Sequence, residues 1–254
     1  MKRPERSTYS RRRHKRRVIN KKRLLLSLFL ALLGAELAFA LFTSPMFAVR
    51  NIKVVGNQTV SDSQVLHALR VPNGTNIFRV DKDSALRDVR RNPVVQEVSI
   101  RRRLPSTLIV SVSERNALLI LNSMGSLYEV DAFGIPFRLD EAVKPKLPVI
   151  TCQVRKKIVL GRPIRDAAFD SAKECLLLAQ TKKVFSGITI TVDQKSDICL
   201  NIRDDYQVKL GQPEHLARKL DIAEQVIQQT PEFQERGAYI DVTCPEAPAY
   251  KLKE

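Results

Sequence analysis

Hydrophobic and polar positions along this chain fall into three regimes. Residues 1–23 are almost wholly polar. The next 19 residues, Leu24–Phe42 (LLLSLFLALLGAELAFALF), are broken only by Ser27, Gly34 and Glu36. Beyond them, apolar positions alternate or recur at helical spacing. At about 1.5 Å rise per residue the apolar run covers roughly 28 Å as a helix, close to the ~30 Å hydrocarbon core of a bilayer. The run therefore predicts one membrane-spanning helix. A buried core helix would need other segments able to wrap a surface apolar on all sides, and the sequence offers none. A cleaved secretory signal is the other alternative, since Ala38-Phe39-Ala40 has A-x-A spacing. Against it, the run continues through Leu41 and Phe42 with no polar region before the cut. Glu36 either faces a partner helix or reaches toward an interface.

Thr43-Ser44-Pro45 ends the helix, because proline cannot continue it and restricts the residue before it. Val49–Val55 reads as a strand with Ile52 and Val54 on one face, and Gly56-Asn57 as a turn. Ser61 and Gln64 have capping-box spacing for a helix over Ser61–Arg70 with Val65, Leu66 and Leu69 as its stripe. A second helix covers Lys82–Arg91, with Leu86 and Val89 inward and Pro93 beyond. Val94–Arg103 alternates, with Val94, Val98 and Ile100 against Glu97, Ser99, Arg101 and Arg103. Leu104-Pro105-Ser106 turns the chain into Thr107–Arg115, where Leu108, Val110 and Val112 share a face. This is β-α-α-β-β, a three-stranded sheet under two short helices.

From Asn116 the pattern changes. Short strands cover Ala117–Leu121, Ser126–Val130 and Ile135–Leu139, and Lys144-Pro145-Lys146-Leu147-Pro148 is a surface linker. Ile164–Thr181 is an amphipathic helix with Ala168, Ala172, Cys175, Leu176 and Ala179 on one face. Three strands follow, marked by Ile188/Ile190/Val192, Ile198/Leu200/Ile202 and Tyr206/Val208/Leu210, the last two joined by a two-residue hairpin. Helix Glu214–Gln229 buries Leu216, Leu220, Ala223 and Ile227. Ala238–Thr243 is the last clear strand, with Ile240 and Val242 inward and Tyr239, Asp241 and Thr243 outward; Ala249–Lys253 is a weaker extended piece. The fold class is α+β, a transmembrane helix followed by a β-α-α-β-β domain and a second, mostly antiparallel α+β domain.

Charge then sets an orientation. Residues 1–23 hold 12 Lys or Arg against Glu5, supplying +11 of the chain's formal +16, so the remainder carries only +5. The positive-inside rule keeps this basic, unstructured tail in the cytoplasm and sends the bulk of the chain across. Four cysteines (Cys152, Cys175, Cys199, Cys244) are too dispersed for a disulfide scaffold or a C-x-x-C metal site. In an oxidising compartment a bridge among them is chemically allowed, with three pairings open, and Cys175 reads as a small core residue.

No constellation for catalysis is present. His14, His67 and His215 lack partners at ligand spacing, and no G-x-S-x-G, H-E-x-x-H or glycine-rich phosphate loop occurs. Asp204-Asp205 sits where a turn needs small polar residues. Lys182-Lys183 complements a helix C-terminus. The expectation is a protein with no catalytic residue, metal or cofactor.

Several stretches together resemble a known family. Phe47–Asn57 (FAVRNIKVVGN), Gly74–Asp81 (GTNIFRVD), Asn92-Pro93-Val94-Val95, Arg101–Leu108 and Glu114-Arg115 are similar, in order and spacing, to a POTRA domain. With the upstream span and basic tail, the chain resembles the FtsQ/DivIB cell-division proteins. Gly211–Leu220 and Tyr239-Ile240-Asp241-Val242 are similar to the β domain that follows POTRA there. The resemblance divides the chain into a cytoplasmic tail (1–23), a span (24–42), a POTRA domain (47–115) and a β domain (116–254).

It implies a non-enzymatic scaffold of the divisome in the cell (inner) membrane at the division septum. Outside the cytoplasm, the end of the β domain would take an FtsB/DivIC-like protein coiled with an FtsL-like one. Carried over position by position, the partner-binding residues are Tyr239, Asp241, Thr243, Cys244 and Tyr250. An open last strand suits such binding, because backbone groups give affinity and alternate side chains give specificity. Pro245 and Pro248 each remove a donor that a paired strand would use. With no tryptophan in the chain, an aromatic anchor there must be Tyr239 or Tyr250. In the POTRA domain Arg101, Arg103 and Ser111 are a candidate docking face for other division proteins; a solvated strand face is the plain alternative. Two other functions compete: chaperone-like handling of outer-membrane polypeptides, which goes with β-barrels or repeated POTRA units, and nucleic-acid binding by the basic tail, which would be steeply salt-dependent.

Overall fold

In a computed structural model, residues 21–140, 147–203, 205–230 and 232–253 are described. The first element, α1 (Lys21–Thr43), is a continuous helix of 23 residues, about 34 Å long, with no residue buried. Among the described residues it is the one helix long and apolar enough to cross a membrane. Glu36 lies exposed on it with the rest. The Ser44 side chain caps a single 3-10 turn, Pro45–Phe47, which redirects the chain into the first domain.

That domain holds β1 (Asn51–Val55), α2 (Asp62–Leu69), α3 (Lys82–Val89), β2 (Val95–Arg103) and β3 (Thr107–Glu114). The sheet order is β1-β3-β2, with β1 parallel and β2 antiparallel to the central β3. Pairing of Ile52 with Leu108, Val54 with Val110 and Val98 with Val112 turns these side chains toward the two helices. The Ser61–Gln64 capping box forms as its spacing predicts. One inward position differs from expectation. Leu66 is exposed, because an eight-residue α2 aims only Val65 and Leu69 at the sheet. Leu86 and Val94 pack half-buried against the core as expected, and Ala85 and Val95 are buried beside them, Val95 just before a bulge between Val95 and Glu97.

A glycine and a glutamate fix the turn after β1. Gly56 has φ +86°, and a Cβ there would sit 2.4 Å from the Val112 carbonyl oxygen, so no other residue fits. Glu114, at the end of β3, receives the amides of Gln58 (2.7 Å), Thr59 (2.9 Å) and Val60 (2.9 Å) on Oε1. Burial pushes its carboxyl up, but these hydrogen bonds and one from the Thr59 hydroxyl together outweigh that and hold it below the ordinary value.

The second domain is built on one nine-stranded sheet, ordered β12-β11-β10-β9-β8-β7-β4-β5-β6. Its strands are β4 (Leu119–Ser123), β5 (Ser126–Val130), β6 (Pro136–Asp140), β7 (Val149–Thr151), β8 (Ile188–Val192), β9 (Ile198–Ile202), β10 (Tyr206–Gly211), β11 (Gly237–Asp241) and β12 (Ala249–Leu252). Helices α4 (Ala167–Gln180) and α5 (Leu216–Gln229) pack their apolar stripes on one face, and a short α6 (Phe233–Arg236) precedes β11. β7 follows the expected linker directly, and Lys144–Lys146 of that linker lie outside the described residues. The β9–β10 turn spans three residues rather than two, since Ile202 pairs with Tyr206. Asp204 of this turn is outside the described residues, and its neighbour Asp205 donates its amide to Ile202 O, a turn contact. α4 starts at Ala167 because Asp166 caps the amides of Ala168 and Phe169, and Phe169 joins the core while Ala168 is half-buried. Lys182 serves α5 rather than its own helix end: its ammonium bonds Asp221 and Glu224, and these bonds hold its pKa above the usual lysine value.

Two joints connect the parts. Asn76 Nδ2 donates to Leu41 O of α1 at 2.9 Å, and Phe78 meets Phe42 edge-on at 6.0 Å. At the other end of the first domain Arg115 Nη1 lies 2.6 Å from Asp131 Oδ2 in the β5–β6 turn, while its Nε holds Pro93 O at 3.1 Å. Asp131 is 4% exposed, and its second oxygen accepts the amides of Phe133 and Ile135.

Candidate partner-binding edge

The Ala-Tyr-Ile-Asp-Val-Thr run alternates so that Ile240 and Val242 enter the core, both fully buried, and Tyr239 and Asp241 take the sheet face opposite the helices. Parallel pairing with β10 puts Gln207 beside Tyr239 and Lys209 beside Asp241. The Lys209 ammonium stands 4.1 Å above the Tyr239 ring, a cation–π contact that fixes the ring on the open face. Asp241 Oδ1 accepts the Thr243 amide at 3.0 Å, turning the chain out of the strand. Thr243 and Cys244 are exposed in the connection that follows.

Tyr239 and Asp241, expected on an open last strand, lie one strand in from the edge. β12 pairs along β11, matching Tyr239 with Lys251, Ile240 with Tyr250 and Asp241 with Ala249, so β12 is the terminal strand at this end of the sheet and β6 at the other. Pro245 and Pro248 fall in the connection, before Ala249, and cost this pairing no donor. The Val242 amide donates to Lys209 O in β10, so the Tyr239 and Asp241 amides face β12. Their partners Lys251 and Ala249 face back, which leaves the backbone groups of Tyr250 and Leu252 pointing outward. The edge is four residues long, carries Lys251 and is followed by Lys253, the kind of short charged edge that resists indiscriminate pairing.

The five residues expected to bind a partner are thus divided. Tyr239 and Asp241 share the open face with Lys209 and Lys251. Tyr250 lies on the opposite face, its ring 6.2 Å from that of Phe233, which in turn meets Tyr206 at 5.1 Å. Phe233 is fully buried whereas Tyr250 keeps 52% of its surface exposed, an aromatic seated on the core and open at the edge.

In the first domain Arg101, Arg103 and Ser111 do come together on the face away from α2 and α3. Arg101 and Lys53 flank Ile109, Arg103 pairs with Thr107, and Ser111 with Ser99. Arg102 points the other way, with Nε donating to Ile77 O at 2.7 Å and Nη2 to Val80 O at 3.3 Å. The arginine run therefore combines two solvent-facing residues and one that holds a loop.

Other chemistry is structural. Among the described residues no group of three or more His, Cys, Asp and Glu could hold a metal ion. All four cysteines are free, and burial pushes the Cys152 and Cys175 thiols up to about 12, helped by the nearby Asp166 and Glu174 charges respectively. Lys219 is a residue that the sequence reading missed. It is 4% exposed and donates to Leu210 O at 2.7 Å and Gln212 O at 2.8 Å, tying the end of β10 to α5. The signal was available, because Lys219 follows Leu216 by three positions on the buried stripe.

One long apolar N-terminal helix, a three-stranded β-α-α-β-β domain and a helix-backed nine-stranded sheet define a class: two-domain proteins with a single candidate span among the described residues. Residues 47–115 match the family model described as POTRA domain, FtsQ-type, and residues 119–243 match Cell division protein FtsQ/DivIB, C-terminal. Cell division protein FtsQ of Syntrophotalea carbinolica is 29% identical over 230 residues, covering 81% of each chain. Cell division protein DivIB of Clostridium tetani is 25% identical over 89% of this chain and 87% of its own. Cell division protein FtsQ of Streptomyces venezuelae is 26% identical over 94% of this chain and 87% of its own. The chain belongs to the FtsQ/DivIB family of cell-division proteins.

Proposed function

We propose that this protein is a non-enzymatic, single-pass scaffold of the divisome that joins early to late septation proteins by adding a partner strand to β12. The partner is an FtsB/DivIC-like chain coiled with an FtsL-like one. Residues 1–23 stay in the cytoplasm, since their charge obeys the positive-inside rule, and both domains work outside it at the septum. The single observation that carries the reading is the terminal place of β12 in the sheet, with the backbone of Tyr250 and Leu252 unpaired and Tyr250 half open beside Phe233. A strand laid there gains backbone hydrogen bonds from β12 and reads Tyr250 on one face and Lys251 on the other, with Tyr239 and Asp241 one strand further in.

The test uses the full chain in cells, with a photoreactive residue at Tyr250 and, separately, at Ser111. Adducts at Tyr250 with a small coiled-coil membrane protein support the site. Tyr250→Pro then removes one outward donor and Lys251→Pro one donor facing β11 as a control that disrupts the sheet itself. Loss of one or two edge hydrogen bonds is worth ~1–3 kcal/mol, roughly 10- to 100-fold in affinity. Silence at Tyr250, with unweakened binding by Tyr250→Pro, would overturn the assignment. Capture of assorted outer-membrane precursors at Ser111 would favour polypeptide handling instead.

A further inference from the structure

The end of the first domain that carries the span also presents a second, sequence-distant set of residues. Arg50 and Asn51 both donate their amides to Ser106 O, so the β2–β3 hairpin tip is brought to the start of β1, next to the exit of α1. The Leu104–Pro105 bond in that tip is cis, and Leu104 is 56% exposed. Met46, in the 3-10 turn after α1, is 60% exposed. Arg50, Arg79 and Arg103 are exposed too: Arg50 leads into β1, Arg79 follows the loop whose Asn76 holds α1, and Arg103 ends β2 next to Leu104 in sequence. Arg79 follows Phe78, whose ring lies against both Phe42 of α1 and Phe47, at 6.0 and 5.4 Å. Asp81, the nearby carboxylate in sequence, is engaged at the start of α3, where its Oδ1 accepts the amides of Asp83 and Ser84.

We infer that this tip is a membrane-contact site: Leu104 and Met46 enter the lipid interface while Arg50, Arg79 and Arg103 bind anionic lipid phosphates. The occupant is fixed by continuity. Asn76 holds the Leu41 carbonyl in the last turn of the apolar helix, and the Arg50 and Asn51 amides hold the tip at the start of β1, so the tip is tied to the segment that leaves that helix. Exposed large apolar side chains and exposed arginines on segments tied to the exit of that helix match the chemistry of a headgroup layer, where alkyl groups are accommodated and phosphates pair with guanidinium. The inference rests on the reading that α1 anchors the protein in a bilayer.

Because the chain has no tryptophan, Leu104→Trp makes a single-tryptophan reporter of the tip. Met46→Trp is the second reporter, in case the first perturbs the hairpin. Met124→Trp, at the 78% exposed β4–β5 turn, is the control. The full-length protein is placed in nanodiscs of phosphatidylcholine, with or without phosphatidylglycerol, and quenched with lipids brominated high on the acyl chain. The expected result is strong quenching and a blue-shifted emission at Leu104→Trp and Met46→Trp, greater with phosphatidylglycerol, and none at Met124→Trp. Combining Leu104→Trp with Arg50→Glu, Arg79→Glu and Arg103→Glu should abolish the gain from anionic lipid. Emission at both tip positions as unquenched as at Met124→Trp overturns the inference, as does protection that requires an added protein partner. Failure of the chain to stay with the lipid at all would instead refute the membrane anchor.

Discussion

Glu114 is where one carboxylate holds two distant segments together, and replacing it by glutamine tests that role. Its Oε1 gathers three amides across more than 50 residues of sequence, and Oε2 stands 3.0 Å from the Thr59 amide. A hydrogen bond to a charged acceptor is worth ~1.5–3 kcal/mol when one partner is removed, and partial exposure reduces each contribution. Glu114→Gln keeps one neutral acceptor but turns an NH2 group toward amides that are themselves donors. A net loss of about 2 kcal/mol is expected, which is roughly a 30-fold larger opening constant for the 57–60 turn. Hydrogen exchange of the full chain, read at Gln58, Thr59 and Val60, measures that constant directly. The pH dependence carries a sign. The folded carboxyl titrates below the ordinary glutamate value of 4.5, so its stabilisation is complete above 4.5 and is withdrawn as pH falls through the folded value. The wild-type turn should therefore open progressively below pH 4.5, and the Glu114→Gln turn should be insensitive there. Equal protection in both proteins at neutral pH would refute the reasoning.

Gly56→Ala forces a Cβ against the Val112 carbonyl at a left-handed φ, so it should cost about 3 kcal/mol and lower the first domain's thermal transition selectively. Lys219→Met leaves the Leu210 and Gln212 carbonyls without their ammonium and should lose ~1–3 kcal/mol in urea unfolding of the second domain. Arg115→Met strands the buried Asp131 carboxylate, at a cost approaching ~3 kcal/mol, and should broaden the distribution of interdomain distances seen by spin-label pairs.

Local rules made much of this fold legible. Nineteen apolar residues announce α1, the Ser61–Gln64 spacing announces α2, and the alternation in Ile188–Leu210 sets three strands with their inward faces. What was hidden is short or long-range. Three residues of β7 carry no measurable period, and they become a strand only because β4 and β8 bracket them in parallel. α6 is four residues long and leaves no periodic signature, although its Phe233 is fully buried. The same limit governed the candidate edge. Tyr239 and Asp241 were placed on the correct face by alternation, yet which strand is terminal depends on a β11–β12 pairing across a proline-containing connection. Arg102 and Lys219 were legible in principle, one by its even place in β2 and the other by its place on the stripe of α5.

The two joints have a mechanical corollary. Asn76 grips the last turn of the anchor, and Arg115 locks the first domain to the buried Asp131 of the second. Between them runs the three-stranded sheet with its two helices. With α1 in a bilayer, as proposed, a body mounted in this way would work as a gauge block: the height of β12 above the lipid would be built into the molecule. On the proposed reading, a partner rising from the same membrane would have to bring its own strand to that level before it could dock, so its reach would be measured as well as its sequence.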